Sequence, residues 1–297
     1  MPSTTTDFVE YARLLRQEVD ASLAEYTRYD ADCPPHLADA IRHSLHAPGK
    51  RLRPLLVLMA AEACGYDRRG AMPAACAVEM VHTYSLIHDD LPAMDDDDMR
   101  RGQPSCHIKF GESTAILAGD ALLAQAFEVL ARDLQPPATA ARCCAELARA
   151  AGASALVGGQ EDDLGNEFAR GGIEALEAIH RRKTGAMIRV ALRLGGIIAE
   201  ADDEQIAAFD RFGERLGLAF QIVDDLLDLR GDAAALGKRT GKDPEHGKLT
   251  FPALLGEAES GRRAANLIDE AIAALEPFGS KGSHLEALAR YVLQRKN

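Results

Sequence analysis

Gln221-Ile222-Val223-Asp224-Asp225-Leu226-Leu227-Asp228 is the stretch that decides how this chain folds. Asp224 and Asp228 stand four residues apart and Gln221 one turn earlier, so on a helix all three share a face. Gly213 and Gly217 extend that line backward, while Phe209, Leu216, Ala219, Ile222, Val223 and Leu226 supply an apolar face. The spacing predicts a helix over 203–229 with a groove-like stripe of Gly, Gly, Gln, Asp and Asp. Such a stripe is costly to bury unless something charged occupies it, and carboxylate oxygens suit a hard cation such as Mg²⁺. An exposed acidic turn is the plain alternative.

A second acid cluster lies upstream, in His82-Thr83-Tyr84-Ser85-Leu86-Ile87-His88-Asp89-Asp90-Leu91-Pro92-Ala93-Met94-Asp95-Asp96-Asp97-Asp98-Met99-Arg100-Arg101. Six carboxylates fall within ten positions, and they repel one another unless water, salt or a multivalent cation absorbs the field. Leu86, Ile87, Leu91 and Met94 interleave with the acids, unlike a solvated tail. Pro92 cannot continue a helix and disfavours helical geometry at Leu91. A helix over 71–89 therefore gives way to a loop that carries Asp95 back toward the same space. On that helix His82, Ser85 and Asp89 return to one face, which makes His82 a candidate ligand for substrate or water.

Basic residues accompany the acids in three groups: Lys50, Arg51 and Arg53; Arg100 and Arg101; Lys238, Lys242 and Lys248. A divalent cation between two carboxylate walls reverses the local sign, and the basic side chains can then hold the outer oxygens of a phosphorylated ligand. Taken alone, the cluster at 50–53 reads more readily as a solvated helix start than as an anion site.

Composition agrees with helices. The 297 residues are 47% hydrophobic but only 5% aromatic, with no Trp, and rich in Ala, Leu, Arg and Glu. A net charge of −12 argues against sequence-independent binding to nucleic acid. Six cysteines show neither a CxxC pair nor zinc-ligand spacing, which suits a reduced cytoplasmic protein. No secretory signal is legible in residues 1–10, and the longest apolar run, near 55–61, is too short to span a bilayer.

Helical periodicity marks 7–29, 36–45, 55–64, 71–89, 113–134, an Ala-rich stretch to about 155, 173–199 and 203–229. Gly158 to Asp163 reads as a loop, or as a place where paired glycines admit a ligand. Gly185, in Lys183-Thr184-Gly185 at the middle of 173–199, lowers helix stability by about 1 kcal/mol relative to Ala. Its presence there suggests a local bend or the close approach of something. Residues 231–247 form a Gly- and Lys-rich connection, and the remainder is helical. No strand alternation or linker stands out. The expectation is an all-α chain, a single domain over 1–297 with about ten helices around a central cavity.

With these motifs in place, the chain resembles the bacterial farnesyl diphosphate synthases, short-chain trans-prenyltransferases with the isoprenoid synthase fold. The resemblance rests on Asp89-Asp90 followed by Asp95, and on Asp224-Asp225-Leu226-Leu227-Asp228. Flanking matches are Gly49-Lys50-Arg51-Leu52-Arg53-Pro54, Arg100-Arg101-Gly102, Gly159-Gln160 with Asp163, Lys183-Thr184, and Gly237-Lys238 with Gly247-Lys248. It implies that Asp89, Asp95 and Asp224 bind Mg²⁺, three ions in all, with Asp90 and Asp228 in support. Arg100, Lys183 and Lys238 would cage the diphosphate of dimethylallyl or geranyl diphosphate. Isopentenyl diphosphate would lie against Lys50, Arg53, His82 and Arg101, with Lys248 also on the substrate side. Thr184 and Gln221 would stabilise an allylic carbocation. Tyr84, with its neighbour Ser85, would limit the product to C15, and the enzyme would be a homodimer.

Rival readings stay open at this point. They are a geranyl or geranylgeranyl diphosphate synthase of the same superfamily, a terpene cyclase, a non-catalytic regulatory subunit, and an acidic metal-binding protein.

Overall fold

The structure, a computed structural model, describes residues 5–164, 172–229 and 249–295. Its helices in order are α1 (Thr5–Tyr26), α2 (Pro35–Leu45), α3 (Leu52–Ala63), α4 (Met72–Asp89), α5 (Cys106–Phe110), α6 (Glu112–Asp133), α7 (Pro137–Ala151) and α8 (Leu156–Leu164). Then come α9 (Ile173–His180), a π-helical turn (Arg181–Gly185), α10 (Ala186–Ile198), α11 (Asp203–Leu229), α12 (Phe251–Leu255), α13 (Glu257–Ala273) and α14 (Ser283–Gln294). Short 3₁₀ turns occupy Arg68–Ala71 and Glu276–Gly282.

Prolines and caps set the boundaries. Pro35, Pro73, Pro137 and Pro252 fall in the first positions of their helices, where a missing N–H costs nothing. The Thr250 side chain accepts a hydrogen bond from the Ala253 N–H to start α12. Gly111 (φ 87°) and Gly256 (φ 79°) turn the chain sharply between α5 and α6 and between α12 and α13, in backbone conformations that disfavour other residues.

Successive contacts of α4 with α3, α3 with α10, α10 with α7, α7 with α6 and α6 with α4 close a ring. Helix α11 joins it through α10, and α13 covers α11 from outside. One hydrophobic cluster reaches from Phe8 in α1 to Val292 in α14. The apolar face of α11 is buried as its periodicity predicts: Phe209, Phe212, Leu216, Ala219 and Ile222 are all inaccessible, and Phe209 stacks on Phe278 with ring centroids 4.4 Å apart. Each such large side chain contributes about 2 kcal/mol by leaving water.

The glycine stripe of α11 has a different use from the one its sequence suggested. A Cβ at Gly213 would lie 3.0 Å from the Arg189 and Leu192 side chains of α10, and one at Gly217 would lie 3.1 Å from the Gly185 Cα. These glycines therefore admit a neighbouring helix, and the groove reading is corrected for that part of the stripe. The close approach expected at Gly185 is this one. At the α3–α10 crossing, a Cβ at Gly195 would come within 2.3 Å of the Val57 carbonyl oxygen.

Three other local expectations change. Residues 158–163 lie within helix α8 and are not a loop. The expected helix 173–199 is interrupted by the π turn at 181–185. Two-residue strands β1 (Met99–Arg100) and β2 (Gln103–Pro104) pair antiparallel around Arg101 and Gly102, too short for any alternation to reveal them. The connection 231–247 lies outside the described residues. Among the described helices α6 alone is long and apolar enough to cross a membrane; it packs along α4 and α7.

Candidate active site

Helix α4 stops at Asp89, and the chain then folds back on its own end. The backbone N–H of Asp95 donates to the Asp89 carbonyl at 2.8 Å, and that of Asp97 to the Asp90 carbonyl at 3.2 Å. The turn forced by Pro92 thus returns Asp95 to Asp89, as expected. Hairpin β1–β2 follows and delivers two arginines.

The adjacent aspartates have different partners. Asp90, 2% exposed, accepts hydrogen bonds from Arg100 Nε at 2.8 and 3.1 Å and is also bonded by Arg100 Nη2. Asp97 lies 3.5 Å from the same guanidinium. Thr83, whose buried hydroxyl has no hydrogen-bond partner, lines a small cavity behind this pair, between α2, α4 and the hairpin. Asp89 instead faces Lys183, with Nζ 3.9 Å from its carboxylate. Burial pushes the Asp89 carboxyl up to about 6, Lys183 opposes that shift, and the negative charge of Asp95 adds to it. A hard cation beside Asp89 would reverse this penalty, so the donor chemistry fits Mg²⁺.

Lys183 projects from the π turn, a widened helical geometry common at functional sites. The turn is wedged between two helices. A Cβ at Gly159 of α8 would lie 2.7 Å from the Lys183 N, and Gly185 abuts Gly217 of α11. Lys183 Nζ also bonds Asp163 of α8 at 2.8 Å. The sequence pair Gly159 and Asp163 thus acts to seat and hold this lysine. Thr184 is half-buried beside it.

On α11, Gln221, Asp224 and Asp228 are half-buried. Asp225 accepts a hydrogen bond from the Phe251 N–H at 2.9 Å and so ties α12 to the acid motif. Asp224 pairs with Arg295, just beyond α14. The Arg295 side chain is buried, bonds the Phe220 carbonyl at 3.3 Å, and lies 4.1 Å over the Phe220 ring. Among the described residues no group of three or more His, Cys, Asp or Glu is close enough to hold an ion unaided. Mg²⁺ commonly takes one or two carboxylates and completes its shell with water and phosphate oxygens.

The first basic cluster divides by role. Arg51 is fully engaged inside the protein. It donates to Asp20 and Glu79, each at 2.8 Å, and to the Leu45 and Ala47 carbonyls at 2.8 and 3.2 Å. It therefore leaves the anion-binding group in which the sequence placed it. Arg53 is held down to about 10 by burial, and its Nε has no hydrogen-bond partner. His82 lies 3.4 Å from Arg101 Nη2 and is held well below the usual histidine range by burial and then by Arg53, Arg101 and Arg100. Gly49 makes room for Arg101, because a Cβ there would lie 2.9 Å from Nη1. Lys50 is lowered by burial and by Arg295, with Asp224 opposing. Cations crowded against one another in this way are relieved by an anion.

Tyr84 is buried on α4, and Ser85 donates to the His82 carbonyl at 2.9 Å. Lys238, Lys242 and Lys248 lie outside the described residues. Sequence reasoning missed Glu79, the buried partner shared by Arg51 and, at 4.0 Å, Arg101. It also missed Arg295. Both depend on contacts between residues far apart in the chain, which no local pattern encodes.

The bundle thus sets a buried aspartate beside a lysine on a π turn, with arginines crowded nearby. The sequence profile of the polyprenyl synthetase family matches residues 34–287, and the chain belongs to that family. It is 49% identical to the farnesyl diphosphate synthase of Escherichia coli (strain K12), over 83% of this chain and 85% of that one. It is also 46% identical to geranylgeranyl pyrophosphate synthase 7, chloroplastic, of Arabidopsis thaliana, over 89% of this chain and 78% of that one. The crystal structure of an FPP/GFPP synthase from Zymomonas mobilis superposes with a TM-score of 0.86 at 34% identity, covering 98% of this chain and all of that one. The chain is a prenyltransferase, and its relatives make products of more than one length.

Proposed function

We propose that the chain condenses isopentenyl diphosphate with dimethylallyl and then geranyl diphosphate to give (2E,6E)-farnesyl diphosphate, a C15 product. In each cycle the allylic C–O bond breaks, a C–C bond forms to the isopentenyl double bond, and a proton leaves to the released diphosphate. Lys183 and Arg100, with Lys238, hold the allylic diphosphate. Lys50, Arg53, neutral His82 and Arg101, with Lys248, hold the isopentenyl diphosphate. The dipoles of Thr184 and Gln221 favour the cation without trapping it, and the closed site excludes water. Asp89, Asp95 and Asp224, with Asp90 and Asp228 behind them, would hold Mg²⁺, in three ions, which would supply charge neutralisation for the leaving diphosphate.

The observation that carries this reading is the position of Asp89. Burial raises its carboxyl, and it lies 3.9 Å from Lys183, in the manner of a site shaped for cation and phosphate together. The test is incubation of the pure chain with labelled isopentenyl diphosphate, each allylic diphosphate and Mg²⁺. Farnesyl diphosphate is expected. C10 or C20 as the main product selects a sister synthase, and no elongation at all selects a non-catalytic subunit.

Tyr84 stands about 7.5 Å along the helix axis from Asp89, at about 1.5 Å per residue, where a bulky ring closes the path of a growing chain. Tyr84→Ala is expected to shift the main product to C20 or longer, read by chromatography. An unchanged C15 profile removes Tyr84 from this role.

We also propose that residues 1–297 act as one domain and that the protein is a cytoplasmic homodimer. Ile116 and Leu117 of α6 are 45% and 57% exposed and would be covered by a second copy. Sedimentation equilibrium should give twice the 31.9 kDa chain mass, and Leu117→Glu should give the chain mass alone.

A further inference from the structure

Tyr84 is 7% exposed and belongs to the hydrophobic core, and one of the groups against its ring comes from its own helix. No hydrogen bond fixes its hydroxyl among the described residues, and His88, one turn on, meets it edge to face at a centroid distance of 5.8 Å. His88 is itself tied to another helix. Its Nε2 lies 3.1 Å from the Ile116 carbonyl oxygen of α6, a distance at which an Nε2–H donates to it. The ring also sits in a notch cut by Gly119, where a Cβ would come within 2.1 Å of Nε2. No side chain larger than hydrogen fits there while His88 keeps its place, because no pair of uncharged heavy atoms tolerates that separation.

We propose that His88 is a positioning residue for product length: anchored on Ile116 and Gly119, it braces Tyr84 across the path of the growing prenyl chain. This rests on the chain-length role assigned to Tyr84 above. Tyr84 has no hydrogen bond among the described residues to fix its ring, so packing alone sets the rotation about its side-chain bonds. His88 supplies one edge of that packing from the same helix, and α6 supplies its fixed point. Residue 88 sets where the ring stops, and Gly119 sets where residue 88 stops. The dipeptide His88-Asp89 then separates two tasks by one position. Asp89 faces Lys183, and His88 faces α6.

The test measures the C20 to C15 product ratio for His88→Ala, Gly119→Ala and the double variant, with Tyr84→Ala as reference. His88→Ala is expected to raise the ratio at least tenfold. Gly119→Ala is expected to change it as well, because the new methyl evicts His88. The double variant should match His88→Ala alone, since sites that act through one another are not additive. A general structural lesion, or damage to the adjacent Asp89, lowers the rate at an unchanged ratio. That result for His88→Ala, with Tyr84→Ala still lengthening the product, overturns the proposal. So does a Gly119→Ala effect that persists in full on top of His88→Ala. A C15 profile from Tyr84→Ala itself instead removes the gate, and the brace with it. Gly119→Ala and His88→Ala approach the same contact from opposite helices, so a folding failure in one leaves the other to decide.

Discussion

Asp89→Ala and Asp224→Ala are each expected to lower turnover by about a thousandfold or more while the helical content stays that of the parent chain, because preplaced cations favour the departing diphosphate by several kcal/mol and each 1.36 kcal/mol is a factor of ten. The two substitutions attack the two acid clusters, on α4 and α11. Neither should unfold the bundle. Removing the Asp89 carboxylate relieves a group that burial penalises. The Asp224 side chain is 37% exposed, but its loss takes the carboxylate partner from the buried Arg295 guanidinium, so a lowered urea midpoint short of unfolding is expected for Asp224→Ala. Initial rates under saturating Mg²⁺, with circular dichroism on the same samples, read the effect. If either variant keeps a near-normal rate at saturating metal, opposing carboxylate walls do not drive the chemistry. Asp90→Ala provides the contrast. It leaves the Arg100 guanidinium without its main partner, so a stability loss is expected alongside any kinetic one.

The second large effect falls on stability. Arg51→Met should destabilise the protein by about 3–5 kcal/mol, the usual result of stranding one member of a buried ion pair. Arg51 and Glu79 side chains are each 2% exposed and 2.8 Å apart, and the same guanidinium ties down the Leu45 and Ala47 carbonyls at the end of α2. Arg101, 4.0 Å from Glu79, is too distant to replace those bonds. Asp20 is nearly half exposed and contributes less. Replacing both partners, Arg51→Met with Glu79→Leu, should recover most of the loss, because no charge is then left buried alone. The urea midpoint reads the change. A variant with unchanged midpoint but poor binding of isopentenyl diphosphate would return Arg51 to the anion-binding group.

How much of this was legible in the sequence depends on the range of each interaction. Helices α1, α2, α4, α6 and α11 follow from periodicity, with ends within a few residues of expectation, because caps, prolines and apolar spacing act locally. The return of Asp95 to Asp89 followed from Pro92 alone. What could not be read is which member of a basic run faces inward. Arg51 and Arg53 are two residues apart, yet one is consumed by Asp20 and Glu79, and the other keeps an unpartnered Nε beside His82. Gly213 and Gly217 looked like a ligand groove because a missing side chain reads alike whether a ligand or a helix takes the space. Arg295 lies 71 residues from Asp224 along the chain, and only the packing of α14 brings them together.

One consequence follows from the middle acids. Asp90 clasps Arg100 and Asp225 clasps the backbone of Phe251, so each motif's second carboxylate also ties the architecture together. Spelling therefore overstates the repulsion that a polyanionic visitor meets. Arg100 offsets the charge of Asp90 within the protein, so the field at the site is weaker than the letters count, and the second acids double as rivets.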